Sequence, residues 1–202
     1  MKPRSAGQLY VSHTIMKRLT RDFTALFNAF WYRDFPISDD HKPFGSRAEW
    51  TTHIGICVRG CADLLGYFTH FEAGNRTDAV IRGNTGRDVV HVEWEWLNPR
   101  NEKVNEIEKL CSDSGSAELS VLITYSDLEF HDENLSAIRK QWGRNPSPLL
   151  VLLITYQKSG KRYFENLETH HVQNGTMKKL RSQPALPWNN TGTRWERVER
   201  NG

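Results

Sequence analysis

The sequence predicts an α/β fold in which helices flank a mixed central sheet, and three observations carry that expectation. Helical periodicity with capping residues marks residues 12–31 and the stretch that begins at Ser46. Short alternating runs punctuated by turn residues mark a three-strand meander across 66–96. Beyond it, two long apolar runs, "AELSVLITYSD" and "PLLVLLITYQ", enclose a helical segment, as strands covered on both faces do. After an N-terminal helix the expected order is therefore α-β-β-β-α-β-α-β.

Each element has a local reason. In residues 12–31, Ile15, Leu19, Phe23, Leu26 and Phe30 fall on one stripe, and Ser12 is available as an N-cap. "YRDFPISDDHKPFG" follows as a loop, broken by two prolines and a glycine. Ser46-Arg47-Ala48-Glu49 is a capping-box pattern, after which Trp50, Ile54, Cys57, Cys61 and Leu64 repeat at helical spacing. "GYFTHFE", "TDAVIR" and "DVVHVEWEW" are the meander strands, the last two joined by the turn "GNTG". "PRNEKVNEIEKLCSD" is expected to be helical from Pro99, and "DENLSAIRKQWG" is a helix closed by Gly143. "KRYFENLETHHVQNG" is compatible with an additional strand pair. "LITY" occurs twice, at 122–125 and 153–156, as two buried strands of similar composition can share four letters.

The chain of 202 residues suits one domain with appendages: residues 1–45 as an N-terminal helix and loop packed on the core, 46–157 as the core, and 158–202 as a C-terminal extension. Apolar residues at 38% and charged residues at 25% exclude a disordered composition. A net charge of +3 is compatible with a polyanionic partner without demanding one. Arg194, Arg197 and Arg200 form a loose basic stripe near the C-terminus. The N-terminal residues lack the apolar run of a signal peptide, and "PLLVLLITY" is too short to cross a bilayer, so a cytoplasmic protein without a membrane span is expected. Three cysteines fit a reducing compartment, and Cys57 and Cys61 are spaced as buried helix neighbours rather than as a zinc knuckle.

The chemistry concentrates in the meander. Alternation sends Val90, Val92, Trp94 and Trp96 to one face of the third strand, and His91, Glu93 and Glu95 to the other. Adjacent carboxylates raise each other's pKa unless a cation or donor intervenes. Counting outward from a turn at 83–86, Arg82 is expected opposite Arg87 and Asp78 opposite His91, one diagonal step from Glu93. Clustered oxygen ligands with room for water are what a Mg²⁺ site requires, and such an ion activates water toward a phosphate. Each residue also has a simpler role open to it: turn closure for Asp78, a solvated strand face for Glu93 and Glu95, helix capping for Glu49, and structural hydrogen bonding rather than base catalysis for His91.

These residues resemble the acidic motif of the PD-(D/E)xK nuclease superfamily, the restriction-endonuclease-like fold with an αβββαβ core. The resemblance spans roughly residues 46–157 and sets Asp78 as the motif Asp, Glu93 as the acid and Glu95 at the position of the Lys. Thr77 stands where the motif has Pro, and Glu95 replaces the Lys, so that Lys103 or Lys109 on the next helix is the source of the displaced positive charge. The resemblance implies a divalent-metal-dependent endonuclease using Mg²⁺ or Mn²⁺, with Asp78, Glu93 and Glu95 as metal ligands and Glu49 as a further acid. It implies DNA as substrate, with RNA or branched DNA as variants. Arg76, Arg82 and Arg87 are then the phosphate contacts, and a homodimer is the expected assembly. Two other readings fit the same letters: a catalytically inactive nucleic-acid-binding or assembly subunit of this fold, and an α/β protein-interaction domain.

Overall fold

The computed structural model describes residues 6–36, 46–73, 77–159 and 161–190. Helices α1 (Ala6–Arg33) and α2 (Arg47–Leu65) precede strands β1 (Phe68–Ala73), β2 (Thr77–Arg82) and β3 (Asp88–Glu95). Helix α3 (Glu106–Ser112), β4 (Leu119–Asp127), α4 (His131–Trp142) and β5 (Leu149–Ser159) follow, and β6 (Lys161–Gln173) and β7 (Thr176–Pro184) close the chain of elements. All seven strands form one sheet in sequence order, with β3, β4 and β5 parallel to one another and the other neighbours antiparallel. Helices on both faces make the mixed, flanked sheet that the sequence predicts, and the αβββαβ order over 46–127 is present.

The core divides accordingly. On one face Phe23, Phe27, Trp31, Trp50, Ile54 and Cys57 of α1 and α2 pack over Ile81, Val90, Val92, Val121, Ile123 and Leu152. On the other, Ile107 and Leu110 of α3 and Ile138 and Trp142 of α4 cover Leu122, Leu149, Val151 and Leu153. Strands β4 and β5 are buried on both faces, which is why their sequences run apolar without alternation. Helix α1 and α2 approach closely at Gly60, where an added Cβ would stand 2.9 Å from the Phe30 ring. Cys57 and Cys61 are fully buried, and burial pushes both thiols above their ordinary pKa, as for small hydrophobes.

Four expectations change. Helix α1 starts at Ala6, so Ser12 lies inside it rather than capping it, since nothing in residues 8–11 breaks the helix; the side chain of Ile15 falls outside the described residues, while Leu19, Phe23 and Phe30 are buried as expected. Helix α3 is short because 98–104 is spent on turns: Asn101 N–H donates to Asn98 O, Val104 N–H donates to Asn101 O, and the Asn101 side chain accepts from Lys103 N–H. The C-terminal extension is not an appendage through its first half. β6 and β7 are a hairpin added to the sheet at β5, turning at Asn174 and Gly175, both with positive φ. The register of the β2–β3 hairpin also moves, with consequences for the site. Arg194, Arg197, Arg200 and Arg76 lie outside the described residues.

Candidate functional site

The β2–β3 hairpin places the two principal carboxylates. Its loop takes in Arg87, whose carbonyl accepts from Gly83 N–H at 3.0 Å, and Arg82 pairs with Asp88 rather than Arg87. A bulge between Ile81 and Arg82 adds a further residue, so the ladder reads Val80 with His91 and Ala79 with Val92. One step on, Asp78 is level with Glu93 instead of diagonal to it. The expected pairing of Asp78 with His91 is therefore corrected in the direction that brings the acids closer.

Asp78 is held by the backbone of the neighbouring strand: its Oδ2 accepts the Trp94 N–H at 2.8 Å. Glu93 is only 1% exposed, and among the described residues neither oxygen has an ordinary hydrogen-bond donor; the Asp78 carboxyl is its close neighbour. The compensating charge is Lys109 of α3, whose Nζ stands 3.7 Å from Glu93 Oε2 and 3.5 Å from Glu106 Oε1. Burial, reinforced by the Asp78 charge, pushes the Glu93 carboxyl up to about 8. Asp78 is raised by burial too, with the Trp94 N–H opposing the rise.

Glu95 has partners of its own. Its Oε1 accepts the Leu97 N–H at 2.8 Å and lies 3.6 Å from Arg47 Nη2 of α2. Among the described residues no three His, Cys, Asp or Glu side chains are arranged to hold a metal ion, so the expected convergence of three carboxylates is reduced to Asp78 and Glu93. Glu49 is not part of it: its carboxylate caps the Ser46 N–H, and the Ser46 hydroxyl accepts the Glu49 N–H, the full capping box. Lys103 is exposed on the turn before α3, whereas Lys109 reaches Glu93. His91 is buried with Nε2 3.1 Å from Asp88 Oδ2, a structural pairing at the far end of the strand. Arg82 and Arg87 are ion-paired with Asp88 and Glu118, which draws both away from Asp78.

One participant was not anticipated. Glu106, on the first turn of α3, is 9% exposed and accepts the Asn105 N–H at 3.0 Å. With Asp78, Glu95 and Arg47 it lines a cleft of about 260 Å³ between the ends of α2 and β3. Its spacing from Lys109, three residues along a helix, was the available sign that these two act together.

No family model matches the chain, and no curated protein matches it. Among solved structures it is similar to the YaeQ protein from Xanthomonas axonopodis pv. citri, at 12% identity over 57% of this chain and 69% of that one, with a TM-score of 0.26. It is also similar to the YaeQ protein from Pseudomonas syringae, at 13% identity over 63% of this chain and 74% of that one, with a TM-score of 0.30. At this level the likeness carries no functional information.

Proposed function

We propose that the protein is a divalent-metal-dependent endonuclease acting on DNA phosphodiester bonds. The observation that carries this reading is the Glu93 carboxyl, buried with no ordinary hydrogen-bond donor on either oxygen among the described residues and level with a second, part-buried acid, Asp78. Holding two acids together with only Lys109 to offset them is costly, and sites of this kind persist where a bound cation or a reaction needs them. The donor set fits a hard ion: Asp78 and Glu93 would hold Mg²⁺ or Mn²⁺, with water completing the shell. Bound there, the ion would polarise the phosphate and lower the pKa of a water molecule.

The chain's own groups have separable tasks. Trp94 N–H fixes the orientation of Asp78. Lys109 favours the ionised form of Glu93 and stands in for the lysine whose usual position is Glu95. Glu95 positions Arg47, two-thirds exposed at the mouth of the cleft, where it can meet a phosphate. Purified protein incubated with supercoiled plasmid and Mg²⁺ or Mn²⁺ should nick it, and Asp78→Ala and Glu93→Ala should not. Equal nicking by all three removes the assignment. Salt-sensitive DNA binding without cleavage by the parent favours the inactive nucleic-acid-binding subunit instead.

A further inference from the structure

A second cleft, of about 380 Å³, opens on the other side of Asp78 between α2 and the edge strand β1. Its walls are Phe71 and Trp94, whose rings meet edge-on with centroids 6.4 Å apart, and its helical side presents Thr51, Gly55 and Arg59. Arg59 lies over the Phe71 ring at 5.0 Å. Phe71 is 39% exposed and the neighbouring Ile56 is 45% exposed, so an aromatic and apolar surface faces solvent within a cleft that Asp78 and Glu72 also line.

The helix adds a periodic feature. Arg47, Thr51, Gly55 and Arg59 recur every fourth residue of α2, and all four line one or other cleft. The two arginines are twelve residues apart, about 18 Å along the axis, which spans several nucleotides of an extended strand. Between them Gly55 leaves the groove open: an added Cβ would make only ordinary contact, 3.7 Å from the Phe71 ring, whereas a longer side chain would fill the space.

We propose that this cleft is a stacking subsite for an unpaired nucleobase, so that the strand served by Asp78 and Glu93 is single-stranded nucleic acid, tracked by Arg47 and Arg59. Stacking on aromatic side chains beside a line of cations is how single strands are held without sequence preference, whereas a base paired within a duplex cannot enter a recess of this kind. The inference rests on the nuclease reading for what happens at Asp78, but its test is a binding measurement and fails separately.

The test is fluorescence anisotropy of a labelled twelve-residue oligothymidylate, and of a blunt duplex of equal length, with full-length protein in EDTA. Parent protein should bind the single strand at least 10-fold more tightly than the duplex, and Phe71→Ala and Gly55→Leu should each lose at least 10-fold in single-strand affinity. Phe71 sits half-open on an edge strand, and melting curves for both variants check that the fold is kept. Affinity unchanged in both variants, or duplex bound as tightly as single strand, or no binding by the parent, overturns the subsite. A parent that dimerises in a Phe71-dependent manner, with oligonucleotide affinity unaffected by the substitution, assigns the surface to a second copy and also overturns it. If the parent binds as expected but nicks no plasmid and cleaves no single strand with Mg²⁺ or Mn²⁺, the subsite stands and the nuclease reading falls.

Discussion

Two buried glutamates, on opposite halves of the sheet, have been given opposite surroundings. Glu168 on β6 is 6% exposed and fully answered: Lys179 Nζ donates at 2.6 Å, His170 Nε2 lies at 2.8 Å and His131 Nε2 at 3.3 Å. Against the cost of burial, the hydrogen bonds from His131, His170 and Lys179 hold its carboxyl well below the ordinary carboxylate range. Glu93 on β3 is more deeply buried, has no ordinary donor on either oxygen among the described residues, and is raised to about 8 by burial and by Asp78. The same residue type is therefore held as a staple in one place and left poorly satisfied in the other. Burial alone does not separate the two; the donors that surround each carboxylate do.

Several measurements can break or sharpen that contrast. The largest effect is expected for Glu168→Ala, which strands Lys179 and two histidines around an empty position and should cost about 3 kcal/mol in denaturant unfolding at pH 7. Near-parental stability would mean that the cluster is not holding β6 to α4. Next in size, Glu93→Ala and Asp78→Ala should each lower the nicking rate at least about 100-fold, because a metal ligand should count for no less than the outer groups that orient one. Lys109→Ala should lower it about 10-fold and shift the rate profile to higher pH, since Glu93 loses its nearest cation.

The two glutamates also differ in sign with pH. Glu93 has a folded pKa raised from 4.5 to about 8, so its contribution is fully present below pH 4.5 and is lost as pH rises through about 8. Metal-free parent should therefore lose stability between pH 5 and pH 9, and Glu93→Gln should remove roughly 1–3 kcal/mol of that loss. Glu168 has a depressed pKa, so its contribution is present above pH 4.5 and is lost only as the solution is made more acid than that. Thermal melts of parent and Glu93→Gln across this range check the sign, and a parallel decline in both would place the titrating group elsewhere. The smallest effects belong to the glycines of α2. Gly55→Ala should stabilise by about 0.5–1 kcal/mol, as the space allows it, and Gly60→Ala should destabilise by about 1 kcal/mol or more against the Phe30 ring.

The elements were legible wherever local chemistry decides them. The Ser46/Glu49 capping box set the start of α2, and unbroken apolar runs marked β4 and β5. Alternation placed Val90 and Val92 on the face covered by α1 and α2, and Glu93 on the face where α3 packs. What escaped depends on contacts between distant segments. Glu106 joins the site only because α3 packs over β3, and no neighbouring letter announces that. Glu49 looked like a site acid because a capping residue and a ligand are the same residue type at the same place in a helix. The extent of β6 and β7 was underestimated although Asn174-Gly175 is a hairpin turn pair, because the flanking strands carry many polar residues on the exposed side of β7.

The bulge between Ile81 and Arg82 makes the carboxylate pair a matter of parity. Side chains alternate along both strands, so lengthening the 82–88 connection by one residue would set Asp78 level with Val92, and shortening it by one level with Trp94, either way turning its carboxylate toward the tryptophan core. A change of two would restore the face while sliding Asp78 to the level of His91 or of Glu95. Loop engineering in this hairpin should therefore tolerate even steps better than odd ones, and only the present length puts Asp78 and Glu93 side by side.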